Sequence, residues 1–320
     1  MVHRLCIVGL GLMGGAVGLT ARRRGAATRI VGVGDRSETI EQARRMGAVD
    51  DATVDLREGV RDADLVVLAV PVRLIPDAAR SVLAACRPQT IVTDLGSSKA
   101  GVVAAVEALI AQTKAQAFFV GSHPIAGSEK SGIESAGEVR LEGAACVLTP
   151  TPATDNESYR TVDEFWKALG MKTHRLSPED HDAMLARSSH LPHLLSYALI
   201  HAQSGRSLQL AGPGLRDMTR LSGSDVRLWV DIMQQNAGEL ARVMKEFAAE
   251  MQHLAQEVEM LAMAGTPGAE SARERLFRYL ADAKQRHDEQ FAAAPAPSEE
   301  PKDENLRSKD TQVVPPPPGG

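Results

Sequence analysis

The first half of the chain alternates short apolar runs with amphipathic stretches. The runs are RLCIVG (4–9), RIVGV (29–33), LVVLAV (65–70), TIVTD (90–94), AFFVG (117–121) and ACVLT (145–149). They are rich in Val, Ile and Leu and hardly alternate with polar residues, as strands covered on both faces do. Between them the spacing predicts helices over 37–46, 74–86 and 99–112. Such alternation implies an α/β fold with a doubly wound, mostly parallel sheet and helices on both faces.

Residues 156–169 read as a helix with Tyr159, Val162, Phe165, Trp166 and Leu169 on one face and Gly170 as its stop. After a strand-like KTHRL (172–176) the pattern changes to long helices. SPED (177–180) starts one, with Ser177 as N-cap, Pro178 at the first helical position and acids in the first turn. Ser224–Asp225 marks another start. From Met244 the apolar positions Phe247, Met251, Leu254, Val258 and Leu261 follow spacings of three and four. That heptad stripe fits either a core or a subunit interface. The division expected is a sheet domain over 1–152 and a helical domain over 153–291, with 153–176 transitional. Seven of the 17 prolines fall between Pro295 and Pro318, so 292–320 reads as a solvated, disordered Pro-rich tail whose PPPP could adopt polyproline II.

Composition narrows the field. A net charge of -5 and a pI near 6.0 argue against a general nucleic-acid binder. No apolar run approaches the ~18 residues of a membrane span. The first strand begins almost at the first residue, which leaves no room for a signal peptide. Cys6, Cys86 and Cys146 are widely spaced and show no metal-ligand pattern. A reducing compartment, the cytoplasm, and no metal are expected.

GLGLMG (9–14) is G-x-G-x-x-G between the first strand and a helix. In that context it predicts a dinucleotide site of the Rossmann type. Gly9 permits the tight turn, Gly11 lets a pyrophosphate approach the backbone, and Gly14 lets helix and strand pack closely. The helix N-terminus, with Leu12 and Met13, would hold the phosphates. The second strand ends in VGVGDRSE. Asp35 would repel a 2′-phosphate and favour NAD, whereas Arg36, or a register that puts Gly34 in the acidic position, would favour NADP.

In such sheets ligands bind beyond the carboxyl ends of the strands. One strand there ends in Val70–Pro71, Ser97 stands just past another, and His123 just past a third. TDLGSSK (93–99), GSHPIAGSEKSG (121–132), SSHLPH (188–193) and LRDMTRLSGSD (215–225) occur in that order. Together they resemble the prephenate/arogenate dehydrogenases of tyrosine biosynthesis, over about residues 4–264. In that family a Rossmann-type domain precedes an all-helical dimerisation domain.

The resemblance implies oxidative decarboxylation of prephenate or arogenate with hydride transfer to NAD(P)+. It makes His123 the catalytic histidine and Ser97 the serine that orients the hydroxyl and the nicotinamide. Arg220 becomes the arginine that holds the ring carboxylate, with Arg216 a weaker candidate one turn earlier. It places His190 and His193 at the active-site wall and Glu129 near the pocket entrance. It also implies a homodimer. Local readings compete at each position. Ser97 sits where a helix cap belongs, a role Ser98 could fill, and Arg220 could serve a surface ion pair. The two histidines could be core hydrogen-bonders, and Glu129 a solvated loop acid. Two other functions remain: another Rossmann-plus-helical enzyme such as a β-hydroxyacid dehydrogenase, and a non-catalytic dinucleotide sensor. The first normally carries a catalytic lysine on its helical domain, and 177–215 contain none. The sequence separates neither prephenate from arogenate nor the presence of feedback by tyrosine from its absence.

Overall fold

β1 (Val2–Val8) leads through the glycine turn into α1 (Leu12–Arg24). There follow β2 (Ala27–Val33), α2 (Ser37–Arg45), β3 (Asp51–Thr53), α3 (Leu56–Val60), β4 (Leu65–Leu68), α4 (Ile75–Leu83), β5 (Ile91–Asp94), α5 (Ala100–Thr113) and β6 (Phe118–Pro124). β7 (Ala145–Thr149), α6 (Asn156–Ala168) and β8 (Lys172–Arg175) complete the sheet. The structure is a computed structural model that describes residues 2–127 and 130–291. The eight strands form one sheet in the order β3-β2-β1-β4-β5-β6-β7-β8. Every pairing is parallel except that of β6 with β7.

Why these runs form interior strands is visible in β1 and β4. Leu5, Ile7, Leu65 and Val67 enter the core under α1 and α6. Their neighbours Cys6, Val8, Val66 and Leu68 enter the opposite core, under α4 and α5. Successive side chains point to opposite faces, so a strand buried twice has to be apolar throughout.

The helical part continues with α7 (Pro178–Leu185), a π turn (Ala186–His190), α8 (Leu191–His201), α9 (Gly205–Gln209), α10 (Pro213–Thr219), α11 (Val226–Gln235), α12 (Ala237–Leu261) and α13 (Pro267–Phe291). The chain forms two compact units, one through Phe247 and the other from Ala248. In the first unit α11 buries Trp229 and Ile232 in the same core as Val72 and Ile75, next to β4. No helix among the described residues is long and apolar enough to cross a membrane.

Two caps follow the sequence. Ser177 accepts from Asp180 N at 3.0 Å. At the start expected from Ser224–Asp225, Asp225 caps α11 and accepts from Leu228 N at 2.8 Å. At α5 neither Ser97 nor Ser98 caps the helix. The carboxylate of Asp182 does so from 82 residues away, at 2.7 Å from Lys99 N and 2.9 Å from Ala100 N. The stretch expected as one helix over 74–86 enters through a 3-10 turn at Val72–Leu74. The Pro-rich tail over 292–320 lies outside the described residues.

Candidate functional site

The glycine turn needs its glycines for different reasons. Gly9 has φ +102°, and a Cβ there would stand 2.4 Å from Ala69 O. A Cβ on Gly14 would stand 1.9 Å from Gly9 O. Gly11 instead faces open space, with nothing within 4 Å of its Cβ position. It caps α1 without any side-chain hydrogen bond, and the first turn carries no acid. The amides at this helix end are therefore available to an anion, as a pyrophosphate requires. Gly11, Leu12 and Met13 form one side of a cavity of about 740 Å³, with Val70 and Pro71 along it. These residues fit a dinucleotide.

The same cavity is lined by Ser97, His123, His190, His193 and Arg220. Gly9 and Gly14 shape the turn behind it. Asp35 and Arg36 do not line it. They follow β2 as exposed side chains, 89% and 72% accessible, with 3.9 Å between Oδ1 and Nε. Arg216 does not reach it and is exposed. Glu129 lies outside the described residues.

A buried polar lattice ties the turn that carries Ser97 to the strand that carries His123. Asp94, the last residue of β5, accepts from Gly96 N at 2.8 Å and Ser122 N at 3.1 Å. Lys99 Nζ donates to Asp94 Oδ2 and, at 3.0 Å, to Ser122 O. Ser122 Oγ donates to Asp94 O at 2.6 Å, with Thr93 Oγ1 at 2.8 Å. Lys99, Asp94, Ser122 and Thr93 have no exposed surface. The turn that carries Ser97 and the strand that carries His123 are thus tied at their roots.

The histidines are held individually. His123 Nδ1 stands 2.9 Å from His181 Nε2, and His181 Nδ1 stands 2.8 Å from Asp182 Oδ1. Burial, followed by His181, Lys99 and His190, pushes the pKa of His123 well below the ordinary histidine value. It is a neutral imidazole at pH 7. His190 is buried, its pKa is lowered by burial to about 4, and its Nδ1 lies 3.2 Å from the amide of Asn236. With Asn236 Nδ2 donating, the proton of neutral His190 sits on Nε2. His193 Nδ1 donates to Ser189 O at 3.0 Å, which leaves its Nε2 an acceptor. Pro192 has no N–H to continue the ladder, and the π turn before it is the wider alternative. The ring of His193 stacks on Trp229 with centroids 3.4 Å apart and 22° between planes.

Sequence reasoning missed His181, Asp182, Trp229 and Asn236. HD follows SPED directly, so both residues read as part of a helix start. Trp229 lies on α11 and Asn236 just past its end, and only the tertiary fold reveals their contacts. Among the described residues no group of three His, Cys, Asp or Glu could hold a metal ion.

Comparison with known proteins gives matches over most of the chain. Residues 17–175 match the family described as prephenate dehydrogenase, nucleotide-binding domain. Residues 177–282 match prephenate dehydrogenase, dimerization domain. The cyclohexadienyl dehydrogenase of Zymomonas mobilis is 33% identical over 258 residues, 78% of this chain and 86% of that protein. The prephenate dehydrogenase of Aquifex aeolicus, solved in complex with hydroxyphenyl propionate and NAD+, superposes with a TM-score of 0.78 at 31% identity. That match covers 91% of this chain and 99% of the other. A Synechocystis arogenate dehydrogenase gives 0.71 at 30% identity, over 89% and 99% of the two chains.

Proposed function

The chain belongs to the prephenate dehydrogenase family of oxidoreductases, and on that premise we propose that it oxidatively decarboxylates prephenate or its amino counterpart arogenate, using NAD+. The products are 4-hydroxyphenylpyruvate and tyrosine respectively. The observation that carries the reading is the single cavity shared by the glycine turn, Ser97, His123 and Arg220. The relatives' substrates and the NAD+ of the Aquifex complex support it.

Each residue has a task in this account. Arg220 grips the ring carboxylate with its planar fork. Ser97 orients the ring hydroxyl. His190 offers an N–H and His193 a lone pair to the rest of the substrate. Bound NAD+ supplies the hydride acceptor. Neutral His123 takes the hydroxyl proton as the hydride leaves the same carbon. The ring carboxylate departs as CO2, and its bonding pair enters the ring. The oxygen, now a phenolate, recovers the proton from His123. One hydride and one CO2 leave the substrate, and aromatisation drives the step. We assign NAD+ rather than NADP+ because the exposed Asp35 carboxylate past β2 repels a 2′-phosphate.

The reading includes a homodimer. Met244, Met251, Val258 and Leu261 along α12 are all exposed, at 38% or more. The match to a dimerization domain over 177–282 supports a second copy as what covers them. A steady-state assay of both substrates with both cofactors tests the function. Reduction of NAD+ with release of CO2 from one substrate or both is expected. No turnover in any combination overturns the reading.

A further inference from the structure

We propose that Asp182 is the positioning residue of the proposed base, because one carboxylate fixes the tautomers of His181 and His123 and also holds the turn that carries Ser97. This deepens the function proposed above and rests on it.

An ionised carboxylate only accepts. Asp182 Oδ1 lies 2.8 Å from His181 Nδ1, so that nitrogen carries the proton. Neutral imidazole has one N–H, so His181 Nε2 holds a lone pair. His123 Nδ1 stands 2.9 Å from it and must donate. The lone pair of His123 is then on Nε2, the nitrogen His181 does not engage, in a side chain that lines the cavity. When Nε2 takes a proton, the positive charge already has an acceptor in His181, with Asp182 behind it.

Asp182 has a second task. It accepts from Lys99 N at 2.7 Å and Ala100 N at 2.9 Å, the two amides that follow Ser97–Ser98. Asn236 Nδ2 donates to the Asp182 carbonyl at 2.7 Å and holds its backbone. Asp182 is 4% exposed, and its N–H partners keep its pKa low against the opposing effect of burial. The groups that face His123 are His181 on α7, His190 on the π turn, and Lys99 at the start of α5, itself paired with Asp94 of β5. Cys146 on β7 lies against the His123 backbone, and burial raises its pKa far above neutrality.

A carboxylate that merely capped α5 would act independently of His123. The test is a double-mutant cycle on the full chain, Asp182→Asn with His123→Asn, read as kcat and KM with NAD+ and the active substrate. Asp182→Asn removes the negative charge behind the two rings: its oxygen, at the Oδ1 position, still accepts from His181 Nδ1 and Lys99 N, while its NH2 faces the Ala100 N–H. The substitution is expected to lower kcat roughly 10- to 10³-fold and to leave NAD+ binding within about twofold. In the His123→Asn background the further loss should be less than about threefold. His181→Gln keeps the cap and breaks the link between the rings. It should give the same kcat loss and the same non-additivity, and it decides the matter if Asp182→Asn does not fold. Additive losses, or His181→Gln with wild-type kcat, overturn the role of Asp182. A wild-type chain inactive on both substrates overturns the proposed function itself, before any variant is compared.

Discussion

Lys99 and Asp94 form an ion pair from which solvent is wholly excluded, both side chains being 0% exposed. The pair joins the turn that carries Ser97 to the root of the strand that carries His123. Removing one partner leaves the other charged and buried. Lys99→Met is therefore expected to cost about 3–5 kcal/mol of unfolding free energy, measured by urea or thermal unfolding. A loss below about 1 kcal/mol, the worth of an exposed pair, would show that the site admits water.

Gly11 and Gly14 separate cofactor binding from folding. The Cβ of Gly11→Ala meets nothing within 4 Å, so stability should change by no more than about 1 kcal/mol. That Cβ occupies the space a pyrophosphate needs, and NAD+ affinity should fall at least ~10-fold, or about 1.4 kcal/mol. Gly14→Ala puts a Cβ 1.9 Å from Gly9 O and should destabilise the fold outright. Calorimetric titration beside thermal melts reads both. Unchanged affinity in Gly11→Ala would remove the cofactor from this turn.

How much of this was legible in the sequence depended on how local the signal was. β4 and the second half of β1 are apolar on both faces, and β5 and β6 begin with apolar residues before their polar ends; that pattern survives without knowledge of their neighbours. β3 is three residues, Asp51–Thr53, two of them polar, at the edge of the sheet, where one-sided pairing suffices. α3 is five residues long and too short to show a period. Ser97, His123 and Arg220 stand in recognisable motifs, and all three line the cavity. The link from His123 to Asp182 joins residues 59 apart in sequence, and the cap of α5 joins residues 82 and 83 apart. No periodicity encodes contacts of that kind.

Acid should destabilise the protein from an unusually high pH. His190 has a folded pKa of about 4 against 6.5 for the ordinary value. A depressed histidine means that below pH 6.5 the unfolded chain takes protons the folded chain refuses. The stability is complete above the unfolded value and falls until the pH reaches the folded one. His123, His181 and His193 are depressed as well and act in the same direction. The contribution of His190 is on the order of 3 kcal/mol. Urea unfolding should show a plateau near pH 7 and a decline toward about pH 4, which His190→Gln makes shallower while His123, His181 and His193 keep part of it. A flat profile over that range would contradict the buried neutral histidines.

The apolar stripe of α12 predicts what holds two copies together. Met251 and Val258 are 49% and 58% exposed. Charging both, as Met251→Glu with Val258→Glu, places unpaired carboxylates in an apolar interface. Light scattering should find wild type dimeric at micromolar concentration and the double variant monomeric. A monomeric, active wild type would refute the interface.

The proposed reaction turns on the proton that His123 accepts. His123→Asn keeps the approximate size and polarity of the side chain but supplies no base. With saturating substrate and NAD+, its kcat should fall ~10²–10⁴-fold, while NAD+ titration shows wild-type affinity, since the glycine turn is untouched. Near-normal turnover by His123→Asn would contradict the account.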